Sequence, residues 1–197
     1  MRNNRFLHHA KLLCKVLILA FFISSCGSRS AKNETHSAIT NNETKPFKEI
    51  SVDIKPILKK KLSHITKITF EHKDHSYKFM GVHSKIAIDN AYGKARIEIV
   101  TPPNAAGVYE AKVFARGPDN IEIAKSGNGG KSTFFPDQWD ESKILEETAY
   151  AIKNNKGFEN GVDAADGYYG YSKDGNIRIG FYYRDGTIIS FFPSLKK

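Results

Sequence analysis

Four histidines, His64, His72, His75 and His83, fall within twenty residues of one another, and none occurs in the 114 residues that follow. Imidazole titrates near neutrality, so it can both take and give a proton at physiological pH. The clustering points to one shared strand pair or site. Surface histidines on a single hairpin are the plainer explanation. A metal centre completed by carboxylates is a third, but no H-E-x-x-H or comparable ligand spacing supports it.

The second stretch with chemical content is S-G-N-G-G-K-S-T-F-F-P-D-Q-W, residues 126–139. Its Gly130-Lys131-Ser132 invites a phosphate-binding loop of the form G-x-x-x-x-G-K-[ST]. The pattern fails at its first position, where Lys125 stands in place of glycine. It fails again afterwards, because such a loop opens a helix and Thr133-Phe134-Phe135-Pro136 cannot. What remains is a glycine turn flanked by two lysines, Lys125 and Lys131.

These groups need a scaffold to hold them. Phe47 to Lys61 suits one short helix around Pro56. From Ile65 to Phe114 the runs I-T-K-I-T-F, K-I-A-I, A-R-I-E-I-V and G-V-Y-E-A-K-V-F alternate apolar and polar side chains, the pattern of half-buried strands. A helix is expected after Trp139, capped by Asp140. Ile144, Leu145, Thr148, Ala149 and Ile152 form its apolar stripe, and Gly157 is its stop. The end of the chain reads as a β-meander of G-Y-Y-G-Y-S, N-I-R-I-G-F-Y-Y and T-I-I-S-F-F-P, with turns at Asp174-Gly175 and Asp185-Gly186. The expected class is α+β, with antiparallel sheets joined by hairpins and a few helices.

The first 26 residues bear on the compartment. Arg2, Arg5, Lys11 and Lys15 form a basic segment without acidic residues, and Val16–Ile23 is an apolar core far short of the ~20 residues of a membrane span. Ile23-Ser24-Ser25-Cys26 resembles a bacterial lipobox, whose cysteine is acylated; an ordinary secretory signal with an incidental Cys26 is the alternative. The expectation is a signal peptide at 1–25 and a lipidated, membrane-anchored protein, in the outer membrane if the cell has one. Cys14 leaves with the signal, so the mature chain has no disulfide framework and no cysteine zinc site. Without the four basic residues of the signal, 30 lysines and arginines against 21 acidic side chains become an excess of five. That excess suits an anionic partner. Residues 26–46 are polar and read as a flexible tether. Residues 47–197 are enough for one domain burying roughly 70% of its unfolded-state surface.

F-E-H at 70–72 with G-V-H-S-K-I at 81–86 resembles the EndoU-type endoribonucleases, in which F-E-H…G-x-H supplies two histidines from the ends of a β-hairpin. Further segments agree: N-A-A-G-V-Y-E-A-K-V, then K-S-G-N-G-G-K-S-T-F-F-P-D-Q-W with K-I-L-E-E-T-A-Y-A-I, and finally D-G-T-I-I-S-F-F-P. The resemblance spans residues 64–193. It implies an EndoU-like fold and cleavage of RNA, near uridines, by attack of a 2′-OH on the adjacent phosphorus, leaving a 2′,3′-cyclic phosphate. His83 matches the base and His72 the acid, with His64 or His75 taking the acid's place under another hairpin alignment. Lys125 matches the charge-stabilising lysine, ahead of Lys131. Gly81 matches a close backbone approach to the phosphate, and Ser132 and Thr133 match hydroxyls near the base pocket. Ser190 and Phe192 fall where the family carries T-x-Y-P, with Phe192 in place of tyrosine as a surface on which a base stacks. No metal or cofactor is needed in this scheme. The implied partners are RNA, a membrane through Cys26, and a cognate inhibitor protein; the domain is expected to be monomeric. A non-catalytic envelope or binding module on the same fold, and an effector delivered to competing cells, are the competing readings.

Overall fold

The computed structural model describes residues 53–162 and 165–196; the signal segment, Cys26 and the tether lie outside the described residues. The fold is α+β, with three antiparallel sheets and a few helices, in keeping with an EndoU-like architecture.

Helix α1 (Lys55–Thr66) opens with Pro56 in its first turn, where the missing N–H costs nothing. Leu58, Leu62 and Ile65 recur at helical spacing and are buried. The helix runs further than its expected end and takes in Ile65 and Thr66 from the run read as a strand. A two-stranded hairpin follows, β1 (Phe70–Lys73) and β2 (Ser76–Phe79), with His72 paired to Tyr77. Its turn residues Asp74 and His75 both have positive φ. The run K-I-A-I, expected as a strand, is instead the short helix α2 (Lys85–Asp89). Ser84 caps it, its hydroxyl accepting from Ile86 N, and Ala87 alone is buried. A four-residue apolar alternation does not distinguish strand from helix, and here the cap decides.

The central sheet runs β3 (Ala95–Thr101), β4 (Tyr109–Arg116), β5 (Glu122–Ala124), with β6 (Lys131–Phe134) also on β4. Strand β4 alternates strictly, burying Tyr109, Ala111, Val113 and Ala115. Strands β5 and β6 share one edge of β4: β5 pairs with Phe114–Arg116 and β6 with Tyr109–Lys112. The glycine stretch is therefore an excursion between two short strands on the same edge. Gly127, Asn128, Gly129 and Gly130 all have positive φ there, which three glycines permit without strain. Because Lys131 starts a strand, the helix that a phosphate-binding loop requires is absent at this point.

Helix α3 (Glu141–Lys153) starts as expected, Asp140 accepting from Lys143 N at 2.7 Å. It ends at Asn154, and Gly157 instead begins β7 (Gly157–Val162), an element absent from the sequence reading. The meander of β8 (Ala165–Tyr171), β9 (Arg178–Arg184) and β10 (Thr187–Ser194) completes a sheet of order β10-β9-β8-β7. Asp185 and Gly186 both have positive φ, as the tight hairpin turn requires.

Two apolar clusters form the core. One gathers Leu58, Ile65, Phe135, Ile144, Ile152, Phe181 and Phe191 under α1, α3 and the meander. The other gathers Phe79, Val82, Tyr109, Val113 and Phe134 against the central sheet. Phe134 and Phe135 belong to different clusters, so the end of β6 ties the two together.

Candidate active site

The seam between the clusters holds the candidate site. His64 lies in the last turn of α1. After the β1–β2 hairpin the chain returns to that helix end, and Val82 N donates to His64 O at 2.9 Å while His83 N donates to Ile65 O at 3.1 Å. Backbone bonds thus bind the segment of one histidine to that of another, nineteen positions apart.

Gly81 permits this approach. It has φ +76°, and a Cβ there would stand 2.1 Å from His64 O and under 3 Å from two atoms of its ring. Val82, fully buried, also has positive φ, a strained state for a β-branched residue. Gly81→Ala should therefore part the two histidine segments. The expected result is a lower thermal midpoint and loss of activity together, measured by melting and by a cleavage assay.

His83 is fixed from several sides. Its Nδ1 lies 2.8 Å from Thr133 O, and a carbonyl only accepts, so Nδ1 carries the hydrogen and Nε2 keeps its lone pair. Its own carbonyl accepts from Phe135 N at 2.9 Å, and its ring lies 5.6 Å from that of Phe192. Burial pushes the imidazole down to about 3, opposed by the Thr133 bond and aided by the charges of Lys125 and His64. His64 is lowered as well, first by burial and then by Lys61 and Lys125, with Glu71 acting the other way.

Lys125 follows β5 directly and is 8% exposed, against the usual preference of lysine for water. Its Nζ donates to Lys131 O at 2.7 Å, and burial lowers its pKa. Lys131 points elsewhere, to a Glu110 carboxylate oxygen at 3.1 Å. Ser132, buried, donates its hydroxyl to Gly81 O at 3.0 Å and so braces the glycine from β6. Thr133, also buried, contributes its carbonyl to His83.

His83, Lys125, Gly81, Ser132, Thr133 and Phe192 are thus brought together. His72 is exposed on the hairpin, with its ring 5.0 Å from that of Tyr77. The charged partners felt by His83 are Lys125 and His64, and His72 is not among them. His75 is in the exposed turn. Phe192 is 5% exposed, packed between His83 and Tyr182, whose ring is 5.2 Å away. Burial leaves it little free surface for a base, and the aromatic beyond it, Tyr182, is half-buried. Ser190 pairs with Tyr182 beside a bulge in β10. Tyr182 comes to this position from β9, the strand paired with the last one.

Two imidazoles and an amine, each made more acidic by burial, suit an anion and the movement of protons around it. That is nuclease chemistry on an antiparallel α+β frame. The chain belongs to the bacterial EndoU nuclease family, whose model matches residues 60–195. It is also similar to a Bacillus cereus protein named Toxin, at 31% identity over 173 residues. That match takes in 87% of this chain but 28% of the relative, so the chain spans less than a third of that protein's length. No solved structure matches the chain.

Proposed function

We propose that the protein is an endoribonuclease that cleaves RNA by transesterification, with His83 as base, His64 as acid and Lys125 as the stabilising cation. The observation that carries the reading is the Nδ1–H bond of His83 to Thr133 O, which leaves Nε2 as a free base beside His64 and Lys125. His83 Nε2 takes the proton of a ribose 2′-OH, and the 2′-oxygen attacks the adjacent phosphorus. The bond from phosphorus to the 5′-oxygen breaks, and His64, entering protonated, gives its proton to that leaving oxygen. Lys125 Nζ meets the charge that builds on the non-bridging oxygens. The products are a 2′,3′-cyclic phosphate and a 5′-hydroxyl, and solvent restores both imidazoles. The motif F-E-H would give the acid role to His72; the charges of His64 and Lys125 felt by His83 favour His64 for it. Preference for uridine is part of the proposal, with the half-buried Ser190 and Tyr182 as the groups left to meet the base, since Ser132, Thr133 and Phe192 are buried.

The test is incubation of the purified protein with a uridine-containing oligonucleotide in EDTA, with analysis of the ends. Cyclic phosphate termini are expected; activity abolished by EDTA and restored by manganese would contradict the scheme. The pH dependence follows from the two lowered histidines. The acid must be protonated, so kcat/KM falls on the alkaline side through the His64 pKa, below the ordinary 6.5. On the acidic side it falls only near 3, where His83 takes up a proton and ceases to be a base.

The similarity to a protein named Toxin supports reading this nuclease as harmful to a cell that lacks a matching inhibitor protein. The lipobox-like I-S-S-C supports a lipid anchor at Cys26 that keeps the nuclease on a membrane. Cys26→Ser should abolish labelling of the protein by a fatty acid; unchanged labelling would contradict the anchor.

A further inference from the structure

We propose that a second cleft, outside the histidine site, is a subsite for the flanking strand of single-stranded RNA; the inference rests on the ribonuclease reading. The cleft has a volume of about 530 Å³ and lies between the end of α1, α2 and the end of β4. Phe70 contributes to its apolar wall, Asn90 offers an amide, and Lys67, Lys94 and Arg116 supply three cations. No carboxylate lines it. Lys67, Lys94 and Arg116 form no ion pair among the described residues; Arg116 lies opposite Glu122 across β4 and β5, but that carboxylate is bonded to Arg96, which is spent on Glu98 and Glu122. Lys94 and Arg116 are held together by a backbone bond, Arg116 N to Lys94 O at 2.8 Å.

Tyr92 points to the occupant. It is 90% exposed and has φ +49°, an uncommon state for a bulky residue. Its backbone N–H donates to Asp89 O at 3.2 Å, which fixes it at the end of α2. An exposed aromatic beside cations in a cleft that no carboxylate lines is the combination that binds single strands, stacking on a base while the cations follow the phosphates. The cleft is also close to the chemistry in chain terms. Lys67 is three residues after His64, at most ~11 Å of extended backbone, and α2 begins two residues after His83. A strand whose scissile phosphate lies at the histidines can therefore continue into the cleft.

The experiment measures fluorescence anisotropy of the full protein with a uridine-rich strand carrying 2′-deoxyribose throughout, which transesterification cannot cleave. Tyr92→Ala should weaken binding about 5- to 150-fold. Lys94→Ala with Arg116→Ala should lower the slope of log affinity against log salt by about 1.4. In parallel, both variants should lose kcat/KM on a long RNA and keep it on a dinucleotide, which is too short to reach the cleft. Affinity and salt slope unchanged in both variants would overturn the subsite and leave the cleft to another occupant. Lost affinity for the deoxy strand in a protein that cleaves no RNA would support the subsite while refuting the ribonuclease reading.

Discussion

Replacing His64 or His83 with alanine is expected to lower RNA cleavage about 10²–10⁴-fold, while His72→Ala and His75→Ala remain near wild type. Both histidines feel the charge of the same Lys125, and their segments are joined by paired backbone bonds. His72 and His75 lie on the exposed hairpin. Loss of His83 also leaves Thr133 O without its donor, so His83→Asn, which can still donate to that carbonyl, separates the chemical loss from instability. Binding of a deoxy strand should change little in any of these variants, because binding rests on cations and stacking. A His72→Ala enzyme as impaired as His64→Ala would restore the reading in which F-E-H provides the acid.

The second large effect concerns the two lysines beside the glycine excursion. Lys125→Ala is expected to cost about 10²–10³-fold in kcat, the loss of one preorganised donor to developing charge. Lys131→Ala should cost far less, because its ammonium is engaged with Glu110 at the start of β6. Both variants remove one positive charge, so a general electrostatic effect would make them equal. Lys125→Met retains much of the buried stem, and its kcat should stay as low as that of Lys125→Ala while its melting temperature stays higher. Equal rates for the two lysine variants would refute a special role for Lys125.

The meander was legible in the sequence because its runs of β-branched and aromatic residues are separated by Asp-Gly at both turns. Strand β4 and the start of α3 were legible from a regular period and, for α3, a capping aspartate. The β1–β2 turn was harder to read, because Asp74 and His75 adopt positive φ without a glycine. The pairing of histidines was not legible either. Nothing local to L-S-H-I-T announces that its carbonyls bond to Val82 and His83. The available signal was Gly81, a glycine whose missing side chain makes room for a neighbour, His64, that only the tertiary fold brings there. Lys125 was legible as the end of an alternating run before the glycines, whereas its burial comes from β5 and β6 sharing one edge of β4. The aromatic at the site shows the same limit: Phe192 could be read from the last strand, but its burial behind Tyr182 depends on strand pairing.

The division of labour between the two histidines can be tested with an RNA whose scissile 5′-oxygen is replaced by sulfur. A thiolate leaves without needing a proton, so the acid becomes dispensable while the base and the cation do not. His64→Ala is expected to cleave this substrate at close to the wild-type rate, whereas His83→Ala and Lys125→Ala remain as impaired as on ordinary RNA. No rescue of His64→Ala, or rescue of a defective His72→Ala in its place, would contradict that division of labour.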